Sequence, residues 1–196
     1  AVAAAEVEHV GTGLDAEAGH ELAPALSLIR IQLGSSIIPA VTSSAADAPG
    51  AAIVSIVAQV CLPLIHKQPM QAVASAAGLN QKDGDWTLGL PPKGSIRVSP
   101  PSPANPAVCM AKVEFDRTNR AAMRSALAAW AGANKLAPVK AGVTSKAGDL
   151  QYFTSSWSGL LDGKPTTVVF TEQTELDGSP TYGALDEATL LVNAAS

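Results

Sequence analysis

An α+β fold is what this sequence predicts: an antiparallel sheet with helices packed on one face, preceded by an N-terminal arm. Three observations carry the expectation. Apolar residues recur at helical spacing in a few separate stretches, several other runs alternate with period two, and turn dipeptides punctuate the last third. From residue 51 the order reads helix, helix, three strands, helix, three strands, which suits segregated helices on an antiparallel sheet.

The first helix rests on Ile53, Ile56, Val57, Val60, Cys61 and Leu64, which share one helical face, with Val54 and Leu62 widening it. It should bend or end near Pro63, because proline lacks an amide donor and crowds the preceding turn. A second helix is expected to start near Pro69 and to stop at Gly78, the usual residues for those positions. Trp86 to Leu90 and Ser95 to Ser99 read as strands joined by Pro91-Pro92-Lys93-Gly94.

Pro100, Pro101, Pro103 and Pro106 make the next stretch a stiff exposed loop, since prolines deny a sheet its ladder hydrogen bonds. A strand follows in which Ala107, Cys109, Ala111, Val113 and Phe115 point one way and Lys112 and Glu114 the other. Asp116 or Thr118 then caps a helix whose Met123, Ala126, Leu127 and Trp130 are read as its buried stripe. Residues 149–158, 165–173 and 188–193 are strand-like, with turns at Asp162-Gly163 and Asp177-Gly178.

Residues 1–50 differ from the rest and are read as an arm or small subdomain, with the α+β domain spanning 51–196. The arm has a small-residue start, a carboxylate-rich patch from Glu6 to Glu21, and an apolar part in which Leu28 to Leu33 suits a strand or a short helix after Pro24. Thr42 to Gly50 reads as the linker. Ala1-Val2-Ala3-Ala4-Ala5 is of the kind found around a signal-peptidase site, so a removed signal sequence is expected, although a shortened chain start accounts for it equally.

Composition bounds the function. With 47% apolar and 15% charged residues and a formal net charge of -4, the chain is globular rather than disordered. Its few, scattered Lys and Arg provide no concentrated basic face, so nucleic acid is not an expected partner. Ala48 to Ile65 contains no charge, which raises a membrane span as an alternative. Gln59 and Pro63 interrupt it and no basic cluster or aromatic belt flanks it, so a buried helix is the reading, with membrane contact left open and no span assigned.

Cys61 and Cys109 are the only cysteines, and each sits on the apolar side of a different predicted element. A disulfide between them would close a loop of about 49 residues, worth roughly 4 kcal/mol in the chain-entropy account. Two inert buried thiols are the alternative. Redox sites usually space their thiols closely, and a Cys61–His66 nucleophile and base would have Pro63 between its members.

Val60-Cys61-Leu62-Pro63, the alanine-rich helix ending in Ala76-Ala77-Gly78-Leu79, Trp86-Thr87-Leu88 and Val108-Cys109 resemble a loose set of small secreted or periplasmic bacterial proteins of unknown function. The resemblance spans about residues 57–130. It implies export and a single disulfide, and it implies no activity.

Other candidate chemistry is thin. Glu17, His20 and Glu21 would share a face of a helix, yet their spacing matches no zinc or calcium motif, so a solvated acidic face is the reading and neither metal nor cofactor is expected. Arg117, Arg120 and Arg124 form a basic stripe, read as lying opposite Met123, Leu127 and Trp130, which would grip a partner's carboxylates or phosphates or simply face solvent. Trp86 and Trp157 are taken as core residues. The chain lacks a nucleophile elbow, a phosphate-binding loop, a dinucleotide fingerprint and a His-Glu-x-x-His motif, which lowers the case for an enzyme without removing it.

The expectation is an exported, non-enzymatic binding or structural protein in the periplasm or outside the cell, an accessory subunit of an envelope or membrane-associated assembly. Its partner-binding candidates are Ile29, Ile31, Leu33, Ile37 and Ile38 of the arm, which need burial against some surface, together with the three arginines. A small secreted hydrolase with dispersed catalytic residues is the alternative.

Overall fold

The computed structural model describes residues 48–181 and 183–194. Eight strands form a single antiparallel sheet in the order β1-β2-β3-β4-β8-β7-β6-β5. They are β1 (Asn80–Lys82), β2 (Asp85–Gly89), β3 (Gly94–Ser99), β4 (Val108–Phe115), β5 (Ala137–Ala147), β6 (Leu150–Leu161), β7 (Lys164–Glu175) and β8 (Asp186–Ala194). The last strand inserts between β4 and β7, so both halves of the chain hydrogen-bond through it. Helices pack on one face of this sheet, as the periodicity predicts. Arm residues Ile29, Ile31, Leu33, Ile37 and Ile38, and the cluster Glu17, His20 and Glu21, lie outside the described residues.

One continuous rod covers the middle of the sheet: α1 (Ala48–Ser55), a π-helical segment (Ile56–Cys61) and α2 (Leu62–Ile65). The widened turn, in which the Leu62 amide donates to the Val57 carbonyl, directly precedes Pro63 and makes room for a residue that cannot donate. Ala48, Pro49 and Gly50, read from the sequence as the end of a linker, are helical, and Pro49 and Gly50 are buried. By length and composition it is apolar enough to cross a membrane, but half of it is buried within the protein and Ile53, Val57, Val60 and Cys61 are fully covered.

The short α3 (Met70–Ala76) follows Pro69 and closes where expected. Gly78 takes φ +75°, and the Leu79 amide returns to the Ala74 carbonyl, which buries Leu79 against the core. The third helix, α4 (Arg120–Ala133), is entered through a 3₁₀ turn (Arg117–Asn119) capped by the Asp116 carboxylate, which accepts from the Thr118 amide at 2.9 Å. Met123, Leu127 and Ala131 form its fully buried stripe, while Ala126 and Trp130, expected in it, are only partly covered.

Two strands beyond the six expected complete the sheet. The three-residue β1 pairs with β2 across an Asp83-Gly84 turn, so the cysteine-bearing strand is the fourth and not the third. The edge strand β5 was hidden because its side chains are exposed on both faces and its register with β6 is broken by bulges around Lys140, which erase period-two alternation. Asp162-Gly163 makes the expected two-residue hairpin turn; Asp177-Gly178 instead lies within a longer β7–β8 connection. Proline-rich residues 100–106 are an exposed loop, as expected.

Candidate functional site

Cys61 and Cys109 are joined, with an S–S distance of 2.07 Å and a Cα–Cα distance of 5.2 Å. Neither side chain reaches solvent. Cys109 lies opposite Val192 on β8, and Val192 lies opposite Val168 on β7, so the bridge pins the helical rod to the centre of the sheet. Its burial makes it a staple and removes both sulfurs from surface chemistry.

Cross-strand register places two carboxylates on the covered face of the sheet. Residues 166, 168, 170, 172 and 174 of β7 point toward the helices, which carries Glu172 inward with Val168 and Phe170. Asp186 sits inward on β8 with Ala188, Leu190 and Val192. Both are almost completely buried, at 2% and 1% exposure, so each requires a compensating charge.

The arginine stripe supplies it. Arg124 grips Glu172 through Nε and, at 2.9 Å, Nη2. Arg120 bridges the two acids: its Nη2 donates to Asp186 at 2.6 Å, while its Nε lies 3.1 Å from Glu172 without hydrogen-bond alignment. Arg117 reaches Asp186 at 3.3 Å and also donates to the Gly178 carbonyl. The guanidinium of Arg124 stacks over Phe153, 3.4 Å from the ring centroid.

These arginines therefore do not lie opposite the buried stripe. Arg120 stands three and seven residues before Met123 and Leu127, and Arg124 three and seven before Leu127 and Ala131, spacings that share a helix face. The missed partners had a sequence signal as well. Glu172 has the parity of Val168 and Phe170, and Asp186 that of Leu190 and Val192, so both were assignable to the inner face.

Next to this network lies an open groove of about 640 Å³. One wall is the flank of α4 carrying Ala121, Arg124, Ser125 and Ala128; the other is the bulged edge strand with Pro138, Lys140 and Gly142. Phe153, Ser155 and Trp157 of β6 form the floor. The groove exists because α1 packs on the opposite flank of α4, where Gly50 meets Ala122 and Ala126, and no second helix covers β5 and β6 among the described residues. Gly142, at φ +68°, sits so close to the Phe153 ring that a Cβ there would come within 2.6 Å of it. Trp157 is buried, as expected, yet it also lines this groove.

The sheet face turned away from the described helices holds a smaller cleft of about 140 Å³, lined by Lys112, Glu114, Tyr152, Gln173, Glu187 and neighbouring threonines. His66, the histidine among the described residues, caps the end of α2 and lines neither cleft. It is less exposed than a surface helix-end residue would be: its Nε2 is buried without a partner. Among the described residues no three His, Cys, Asp or Glu side chains are grouped to hold a metal.

The disulfide-stapled α+β architecture is thus the class of protein that sequence and fold define. No protein-family model matches the chain, and no curated protein matches it. Among solved structures, it is similar to LpqN of Mycobacterium tuberculosis, described as involved in cell envelope biogenesis. The two are 18% identical over 60% of this chain and 70% of that one, with a TM-score of 0.29, a likeness too distant to bear on function.

Proposed function

We propose that this chain is an exported binding protein of the periplasm or the extracellular space, serving as an accessory subunit of an envelope or membrane-associated assembly. The observation that carries the reading is the Cys61–Cys109 bridge, because a fully buried disulfide between the first helix and a central strand belongs to a protein that folds where thiols oxidise. Support for a binding role comes from the clefts: one is apolar with a cationic rim and the other polar, and neither gathers a nucleophile and a histidine. The apolar arm residues Ile29, Ile31, Leu33, Ile37 and Ile38 are the proposed contacts to the assembly. Arg117, half exposed beside its carboxylate, is the member of the arginine set best placed to reach a partner.

Cell fractionation combined with thiol alkylation before lysis tests the first half: both cysteines should resist alkylation unless reductant and denaturant are added together. Mild purification from the native source tests the second, with a defined set of proteins co-purifying with the full-length chain and lost when residues 1–45 are deleted. A cytoplasmic chain with two free thiols would remove the export argument, and an assembly unchanged by the deletion would remove the arm from it.

A further inference from the structure

The geometry points to a ligand site in the groove between α4 and the β5–β6 edge, and to a fatty acid, a single hydrocarbon chain ending in a carboxylate, as its occupant. Such a site would serve the protein whether or not it is exported or part of an assembly. The floor and walls supply the tail site: Phe153 and Trp157 below, Ala121 and Ala128 on one side, Pro138 and Gly142 on the other. A volume of about 640 Å³ with mostly apolar lining and a few polar groups is what small-molecule sites present.

Charge selects the head group. Although the chain carries a net charge of -4, the groove is lined by two cations, Arg124 and Lys140, and by no carboxylate. Lys140 has no ion-pair partner among the described residues. Arg124 spends Nε and Nη2 on Glu172, which leaves its Nη1 amino group without a partner among the described residues. Arg117, at the far end of the network, answers Asp186 and lies beside Asp177, so the cations free to meet a ligand are those of the groove itself. A carboxylate at the rim would take the free guanidinium donors and the Lys140 ammonium, with Ser125 and Ser155 adding hydroxyls. A cationic head would meet like charge, and a neutral one would leave the Lys140 ammonium without a counter-charge.

The test is calorimetric titration of the full-length protein with sodium laurate below its micelle concentration, beside dodecyltrimethylammonium, which has the same tail and the opposite head. Laurate should bind at one equivalent and the ammonium compound at least tenfold more weakly. Ala128→Phe, at an exposed position, fills the groove without touching the core and should weaken laurate by about tenfold or more. Lys140→Glu should weaken laurate by about tenfold and narrow the gap to the ammonium compound. Arg124 itself is a poor probe because it also neutralises Glu172. Absence of laurate binding, equal binding of both amphiphiles, or laurate binding unchanged in Ala128→Phe would overturn the proposal. So would sedimentation showing a dimer that laurate dissociates, since that would assign the groove to a second copy.

Discussion

The Arg124 guanidinium carbon sits over Phe153, 3.4 Å from its ring centroid, while the same guanidinium grips the buried Glu172 carboxylate. One side chain thus neutralises the inner face of β7, covers an aromatic ring on β6 and forms the cationic corner of the groove. Arg124→Met should leave Glu172 with Arg120 alone and cost about 2–4 kcal/mol, somewhat less than complete loss of a buried pair. In a urea-unfolding cycle with Glu172→Gln, the double variant should lose less than the sum of the singles.

The disulfide should be worth about 4 kcal/mol, because it closes a long loop and is fully buried. Urea midpoints of the Cys61→Ala/Cys109→Ala variant and of the wild type with and without reductant measure this. Reductant without denaturant should have little effect on the native protein, since neither sulfur is accessible.

Gly50→Ala separates two opposing expectations. Helix propensity favours alanine by about 1 kcal/mol. The added Cβ, however, would stand 2.9 Å from the Ala126 Cβ and 3.0 Å from the Ala122 carbonyl oxygen, forcing α1 off α4. Overpacking at such a contact costs about 1–3 kcal/mol, so a lower melting temperature is expected. An unchanged or higher one would mean that the helices are not in close contact.

Asp116 and Asp177 titrate below the ordinary aspartate range, chiefly because each carboxylate accepts hydrogen bonds from Thr118 and Ser179 respectively. A folded pKa held below the unfolded one stabilises the protein above the unfolded value, about 3.9, and that contribution fades as pH falls through the folded pKa. The stability difference between wild type and Asp116→Ala should therefore be present at neutral pH and shrink below about pH 4. A gap that widened on acidification would reverse the assignment.

Much of the fold was legible because it rests on local chemistry. Gly78 supplies the left-handed residue that ends α3, Asp162-Gly163 closes a hairpin, and alternation in β4 points Cys109 and Phe115 inward. What escaped was structure whose residues carry no periodic signal. Strand β5 is exposed along nearly its whole length and broken by bulges, and β1 is three exposed residues. The arginine network was half legible: the parity of Glu172 and Asp186 and the spacing of Arg120 and Arg124 place all four on inner faces, but which acid each arginine meets depends on how α4 lies across β7 and β8.

By itself the sequence determined the fold class and the placement of the two cysteines on separate apolar faces, because periodicity and turn propensity act over a few residues. Only the tertiary structure decided that β8 inserts between β4 and β7, that Cys61 meets Cys109, and that α1 covers one flank of α4 while, among the described residues, the other stays open above Phe153 and Trp157. Those outcomes come from long-range packing. Among the described residues no helix covers β5 and β6, and no single segment of the chain encodes such an absence.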